Sequence, residues 1–216
     1  MAPLVTVERP AAGEPDGLLV LHHGRGSDER DLLGLADALD PERRLRVVSA
    51  RAPLQLPGWP GYHWYQVPRV GHPDPASFEG SRAALAELHD GLWAETGVGP
   101  GRTVLGGFSM GAVMSHAMGW SEDRPAVAGV LAFSGFVPTV PGWGPSLPDR
   151  QGSRAFIAHG ERDPVIEVGF GRRARDLLAA GGIEVTYRES DVVHTIDPAT
   201  VPLAAGWLAA TVPPAG

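Results

Sequence analysis

The chain has 216 residues, of which 43% are hydrophobic, and a formal net charge of -7 at pH 7. That length and apolar content suit one domain spanning 1–216, with a core that needs neither disulfide nor metal, and the negative balance excludes a nucleic-acid binder, whose footprint is a clustered excess of cations. Lys, Cys and Asn do not occur at all, which excludes Schiff-base and pyridoxal phosphate chemistry, a P-loop, a Ser-Lys dyad and a thiolate nucleophile.

In chain order, residues 1–9 carry no basic patch followed by an apolar run, so no signal peptide is expected. No apolar stretch is long enough to span a bilayer; together with the absence of Cys this leads to the expectation of a cytoplasmic protein with no membrane partner. Residues 4–8 alternate and suit an antiparallel edge strand. Runs at 18–22, 45–50, 102–108, 126–133, 154–159 and 183–188 read as strands, most of them continuous apolar runs of the kind buried on both faces. Helical patterns lie between and after them, at 28–39, 78–96, 110–120, 165–180 and 198–210. Strand and helix in alternation imply an α/β fold with a mostly parallel twisted sheet and helices on both faces. The stretches 51–75 and 137–152 are long loops, and the first is rich in aromatics, which suits a functional loop. The segments leave no room for a cap domain.

Gly107-Phe108-Ser109-Met110-Gly111 fits Gly-x-Ser-x-Gly and stands between an apolar strand and a helical pattern. The chemistry needs a sharp strand-to-helix turn that lifts the serine hydroxyl out of the sheet, and the flanking glycines let strand and helix approach. A helix starting just after Ser109 also aims free N–H groups and positive dipole at the reaction centre. The bland alternative is a glycine-rich turn with a capping serine.

At this point the chain resembles a family, the lidless phospholipase/carboxylesterase group of α/β-hydrolases that includes the acyl-protein thioesterases. The resemblance rests on Leu21-His22-His23-Gly24-Arg25-Gly26, Gly-Phe-Ser-Met-Gly, His159-Gly160-Glu161-Arg162-Asp163-Pro164-Val165 and His194, in that order. It covers most of the chain, specifies fold and triad, and says little about substrate.

The base follows the nucleophile in this fold, which leaves His116, His159 and His194. His116 is seven residues along the elbow helix, about 10 Å at a rise of about 1.5 Å per residue, and does not reach Ser109. His159 ends a strand and reads as structural. His194, in the loop between the last strand and the last helix, is the expected base. Asp163 matches the family's acid position; Glu161 and Asp191 remain the alternatives, and a turn or helix cap is the bland reading of Asp163. With no Asn, the oxyanion donors are expected to be backbone N–H groups: that of Met110, after the nucleophile, and by resemblance that of Arg25. Adjacent His22 and His23 point apart on a strand, and no His-Glu-x-x-His occurs, so neither metal nor cofactor is expected.

Trp59, Tyr62, Trp64 and Tyr65 crowd the first long loop and are read as a substrate-pocket wall, with Phe136 as a further candidate; the competing reading is a loop pinned to the core by its aromatics. The expected activity is hydrolysis of short to medium acyl carboxylic esters, a small-molecule substrate, through an acyl-enzyme. A thioesterase of the same fold is the close rival, and a non-catalytic binding protein the distant one. The oligomeric state is left open, a homodimer included.

Overall fold

The computed structural model describes residues 3–215. Met1, Ala2 and Gly216, which the expected 1–216 unit and the reading of the N-terminus include, lie outside the described residues. In chain order the elements are β1 (Thr6–Arg9), β2 (Gly17–His22), a single-turn α1 (Ala36–Leu39), β3 (Leu45–Ala50), a short hairpin of β4 (Leu54–Gln55) and β5 (Tyr62–His63), and α2 (Pro75–Thr96). They continue with β6 (Thr103–Phe108), α3 (Met110–Gly119), β7 (Gly129–Phe133), β8 (Arg154–Gly160), α4 (Val168–Ala180), β9 (Glu184–Ser190) and α5 (Val201–Thr211).

Seven strands form one sheet in the order β1-β3-β2-β6-β7-β8-β9. β1 runs antiparallel to β3, with Thr6 opposite Ala50, and every other pair is parallel. The period-two alternation of a strand divides the apolar runs between two layers. Leu18 and Val20 of β2 join Phe78, Leu85, Met114 and Met118 of α2 and α3 on one face. Leu19 and Leu21 join α1 and α5 on the other, with Trp207 and Leu208. This is the α/β-hydrolase fold that the sequence leads one to expect, and no cap domain intervenes among the described residues. Nor is any described helix long and apolar enough to cross a membrane.

Element boundaries follow local chemistry. α2 starts where the Asp74 carboxylate accepts from the Ser77 N–H at 2.9 Å with Pro75 behind it, and stops at Gly97 with φ 69°. The helix expected at 28–39 is instead a 3₁₀ turn over Leu32–Leu35 leading into α1. Gly34 weakens its middle, Asp28 closes a turn on the Arg30 N–H, and Asp40 turns inward to take Arg9 at 2.8 Å and the Leu45 N–H. The expected helix over 165–180 begins only at Val168, because the Val165 and Ile166 amides donate to Asp163. The strand expected from 126 begins at Gly129. The first long loop contains the β4–β5 hairpin, which its aromatic content does not signal.

β2 is paired with β3 on one side and β6 on the other, so the chain's order along the sheet reverses between β2 and β6. The crevice beyond the carboxyl ends of those two strands is where an open α/β sheet collects a ligand. The turn after β2 and the Ser109 elbow after β6 both open into it.

Candidate active site

Ser109 joins β6 to α3 with φ 54° and ψ -120°, a conformation a side chain adopts only under constraint. The constraint is visible: its N–H donates to the Phe133 carbonyl at 2.9 Å. A Cβ on Gly107 would run into the backbone of Gly111, and one on Gly111 into the carbonyl of His22. Both glycines are therefore demanded by close approach, and together they hold the hydroxyl above the sheet edge.

His194, in the loop after β9, places Nε2 2.8 Å from Ser109 Oγ, while its Nδ1 lies 2.6 Å from Asp163 Oδ2. The Nδ1–H donates to the carboxylate, which leaves Nε2 free to accept the serine proton. Asp163 is buried, and its other oxygen accepts the Val165 and Ile166 N–H groups at 2.8 Å each. The imidazole rests on the Phe108 ring, 4.9 Å between centroids. Of the alternatives for the acid, Glu161 is exposed and Asp191 pairs with Arg162 at 2.5 Å, so neither meets His194.

His159 is buried beneath this chain. Its Nε2–H donates to the Ile166 carbonyl at 2.8 Å, bracing the turn that carries Asp163, and burial pushes its pKa below the usual imidazole value. His116 is buried under α3, where its Nδ1 accepts from Trp120 Nε1–H at 2.9 Å. Gly160 has no role in the sequence beyond its place in the family motif, yet a Cβ there would lie 2.5 Å from the Val192 carbonyl and still nearer that of Val193. Its bareness sets how closely the His194 loop lies on the sheet.

The turn His23-Gly24-Arg25-Gly26-Ser27 faces the elbow, and Arg25 lines the same cavity as Ser109 and Met110. Met110 opens α3, so its N–H has no carbonyl partner inside the helix. Three of the aromatics expected in a pocket wall brace this turn instead, and here the structure corrects the sequence reading. Trp64 is fully buried and donates Nε1–H to the His23 carbonyl at 2.9 Å. Tyr62 pairs with the turn through its backbone, taking the Gly26 N–H on its carbonyl and giving its own N–H to Ser27, both at 2.8 Å. Trp59, 60% exposed, donates to the Gly26 carbonyl at 3.1 Å. Each of the three reaches a backbone group of the turn, and none of them lines the cavity at Ser109. His23 is locked too, with Nδ1–H on the Gly24 carbonyl at 2.7 Å and Nε2 accepting the Ala52 N–H at 3.0 Å.

The cavity at Ser109 encloses about 250 Å³. Tyr65 and Phe136 do line it, with Met110, Val67, Val70 and Ile166. Phe136 is brought there by the Ser134-Gly135 turn after β7, where Gly135 packs against Ala112 of α3. The valines carry no signal in the sequence beyond being apolar in otherwise polar loops. The assembled site brings together a hydroxyl hydrogen-bonded to an imidazole, the Met110 N–H at a helix start, the turn that carries Arg25, and an apolar wall, an arrangement suited to acyl transfer.

The model of the phospholipase/carboxylesterase family matches residues 5–212. The chain is 28% identical over 190 residues to an acyl-protein thioesterase 1 of Yarrowia lipolytica, covering 82% of this chain and 83% of that protein. It is 28% identical over 204 residues to the esterase YpfH of Escherichia coli, covering 91% and 83% respectively. Among solved structures, that of esterase PE8 superposes with a TM-score of 0.83 at 31% identity, over 97% of this chain and 100% of the other.

Proposed function

Because this chain belongs to the phospholipase/carboxylesterase family of ester-bond hydrolases, we propose that it is a serine carboxylesterase acting on short to medium acyl esters. The observation that carries the reading is the continuous hydrogen-bonded chain Asp163–His194–Ser109 beside an apolar cavity. Ser109 Oγ attacks the ester carbonyl as His194 Nε2 takes its proton, and Asp163 stabilises the imidazolium that results. The carbonyl oxygen, now negative, is held by the Met110 and Arg25 amides. Collapse of the tetrahedral intermediate breaks the bond to the alcohol, which leaves with the proton from His194. Water, deprotonated by the same histidine, then releases the acid and restores Ser109.

Acyl groups lie against Tyr65, Phe136 and the valines, where each buried methylene contributes up to ~0.8 kcal/mol until the chain outgrows the wall. The name of the Yarrowia relative favours a second reading, hydrolysis of acyl thioesters, for which the same machinery serves. Matched oxygen and sulfur esters, with acyl chains from acetyl to palmitoyl, separate the two. The proposal expects kcat/KM to peak at about C2 to C8 and oxygen esters to be turned over at least as well as thioesters. A rise through palmitoyl with thioesters preferred would establish the second reading in its place.

A further inference from the structure

All eighteen basic residues other than histidine are arginines. Among the described residues twelve of them pair with a carboxylate. Arg102, Arg150 and Arg188 donate to backbone carbonyls. The three whose side chains have neither kind of partner are Arg25, Arg69 and Arg173, and they line two adjoining cavities, the first of which holds Ser109. The second cavity, about 580 Å³, shares Arg69, Val70, Gly71 and Phe136 with the one at Ser109 and extends to Arg173, His72 and Thr139. No Asp or Glu lines either one, in a chain whose net charge is -7. An acid-free basic hollow in an acidic protein focuses anions locally against the overall field.

One ring, Phe170, stacks on Arg173 and adjoins the turn that carries Arg69. The Arg173 guanidinium stacks on Phe170 at 4.3 Å from the ring centroid. The Arg69 turn is closed by the His72 N–H on the Arg69 carbonyl and tied down by the Thr139 N–H on the Gly71 carbonyl. Gly71, with φ 88°, sits so close to Phe170 that a Cβ would lie 2.9 Å from the ring. Phe170 in turn packs on Phe136, 5.3 Å between centroids. An apolar path therefore runs from Ser109 past Phe136 into a hollow lined by Arg69 and Arg173, neither of which has an ion-pair partner.

We propose that the substrate is an ester carrying an anionic group, a carboxylate or a phosphate, at the end of a short apolar segment, with Arg69 and Arg173 receiving that group. Planar guanidinium suits either oxyanion, in bidentate fashion. This specificity rests on the serine esterase reading above and narrows its substrate class.

The test compares kcat/KM for the 4-nitrophenyl monoester of adipic acid with that of its methyl-capped counterpart, the uncatalysed rates being subtracted, on the full-length chain at low ionic strength. A terminal phosphonate in place of the carboxylate distinguishes the two anion sources. Wild type is expected to favour one or both charged esters over the neutral one, and this charged-to-neutral ratio should fall about fivefold in Arg69→Gln and in Arg173→Gln. Arg173→Lys should retain part of it, and 0.5 M sodium chloride, a test condition of roughly 4 Å Debye length, should erase most of it. Equal turnover of charged and neutral esters by wild type, or a ratio that neither substitution moves, would overturn the proposal. Failure of the esterase reading itself looks different, since then the neutral ester is not turned over either.

Discussion

Gly160→Ala tests whether backbone proximity holds His194 against Ser109. The added Cβ would stand 2.5 Å from the Val192 carbonyl oxygen, whereas an ordinary contact begins at 3.4 Å, so the loop carrying His194 has to retreat by about 0.9 Å. Because the obstacle is backbone on both sides, no rotamer change relieves it. The His194 Nε2 to Ser109 Oγ bond, 2.8 Å in the native site, would open past useful hydrogen-bond range, and a misplacement of about 1 Å costs roughly 10²-fold in rate. Stability should fall less dramatically, by about 1–3 kcal/mol for a single overpacked methyl. Steady-state kinetics on a short neutral ester beside thermal melting would separate the two effects. If the Gly160→Ala protein kept kcat within twofold of wild type, the argument that Gly160 sets the loop would be refuted.

Asp163→Asn should lower kcat by about 10³- to 10⁴-fold with little change in KM, because the lost charge acts on the imidazolium; a larger loss from Glu161→Gln would reassign the acid. Trp64→Phe removes the donor to the His23 carbonyl while keeping an aromatic ring, and should cut kcat about tenfold by loosening the turn that carries the Arg25 amide; a changed acyl-length profile with unchanged kcat would return Trp64 to the pocket wall. Burial holds His89 and His116 at about 3, against about 6.5 in the unfolded chain, so each takes up a proton on unfolding between those values. Stability should therefore drop by about 1.4 kcal/mol per histidine for each pH unit below about 6.5, and urea midpoints that stay level from pH 7 to pH 5, test conditions of roughly neutral and mildly acid solution, would contradict this.

Sequence periodicity reaches furthest where burial is two-sided. The runs that become β2, β3 and β8 are largely apolar and largely buried, and their strands begin and end within one residue of the expected bounds. Chain order and loop position point to His194, and the fold puts its Nε2 beside Ser109. Asp163 and Glu161 share one loop and differ in sequence by two positions, so their separation depends on which carboxylate receives the Val165 and Ile166 amides. The aromatic loop is ambiguous for a related reason: ring density signals burial as readily as ligand contact. Trp64 is assigned by a carbonyl 41 residues away, His23, a pairing that no local pattern carries. Apolar period likewise supports a helix at 28–39, but Glu29 is drawn inward to Arg51, with an oxygen 2.6 Å from Nε, and the backbone follows the ion pair. Gly160 and the cavity valines are legible only after the loops have been placed.

The central claim is that Ser109 is the nucleophile, activated by His194. The most direct measurement is mass mapping of the folded protein after treatment with a fluorophosphonate. The account predicts a single adduct, on the peptide containing Ser109, absent from Ser109→Ala and formed far more slowly in His194→Ala. An intact, folded chain that takes up no label, or one labelled on a different serine, would contradict it.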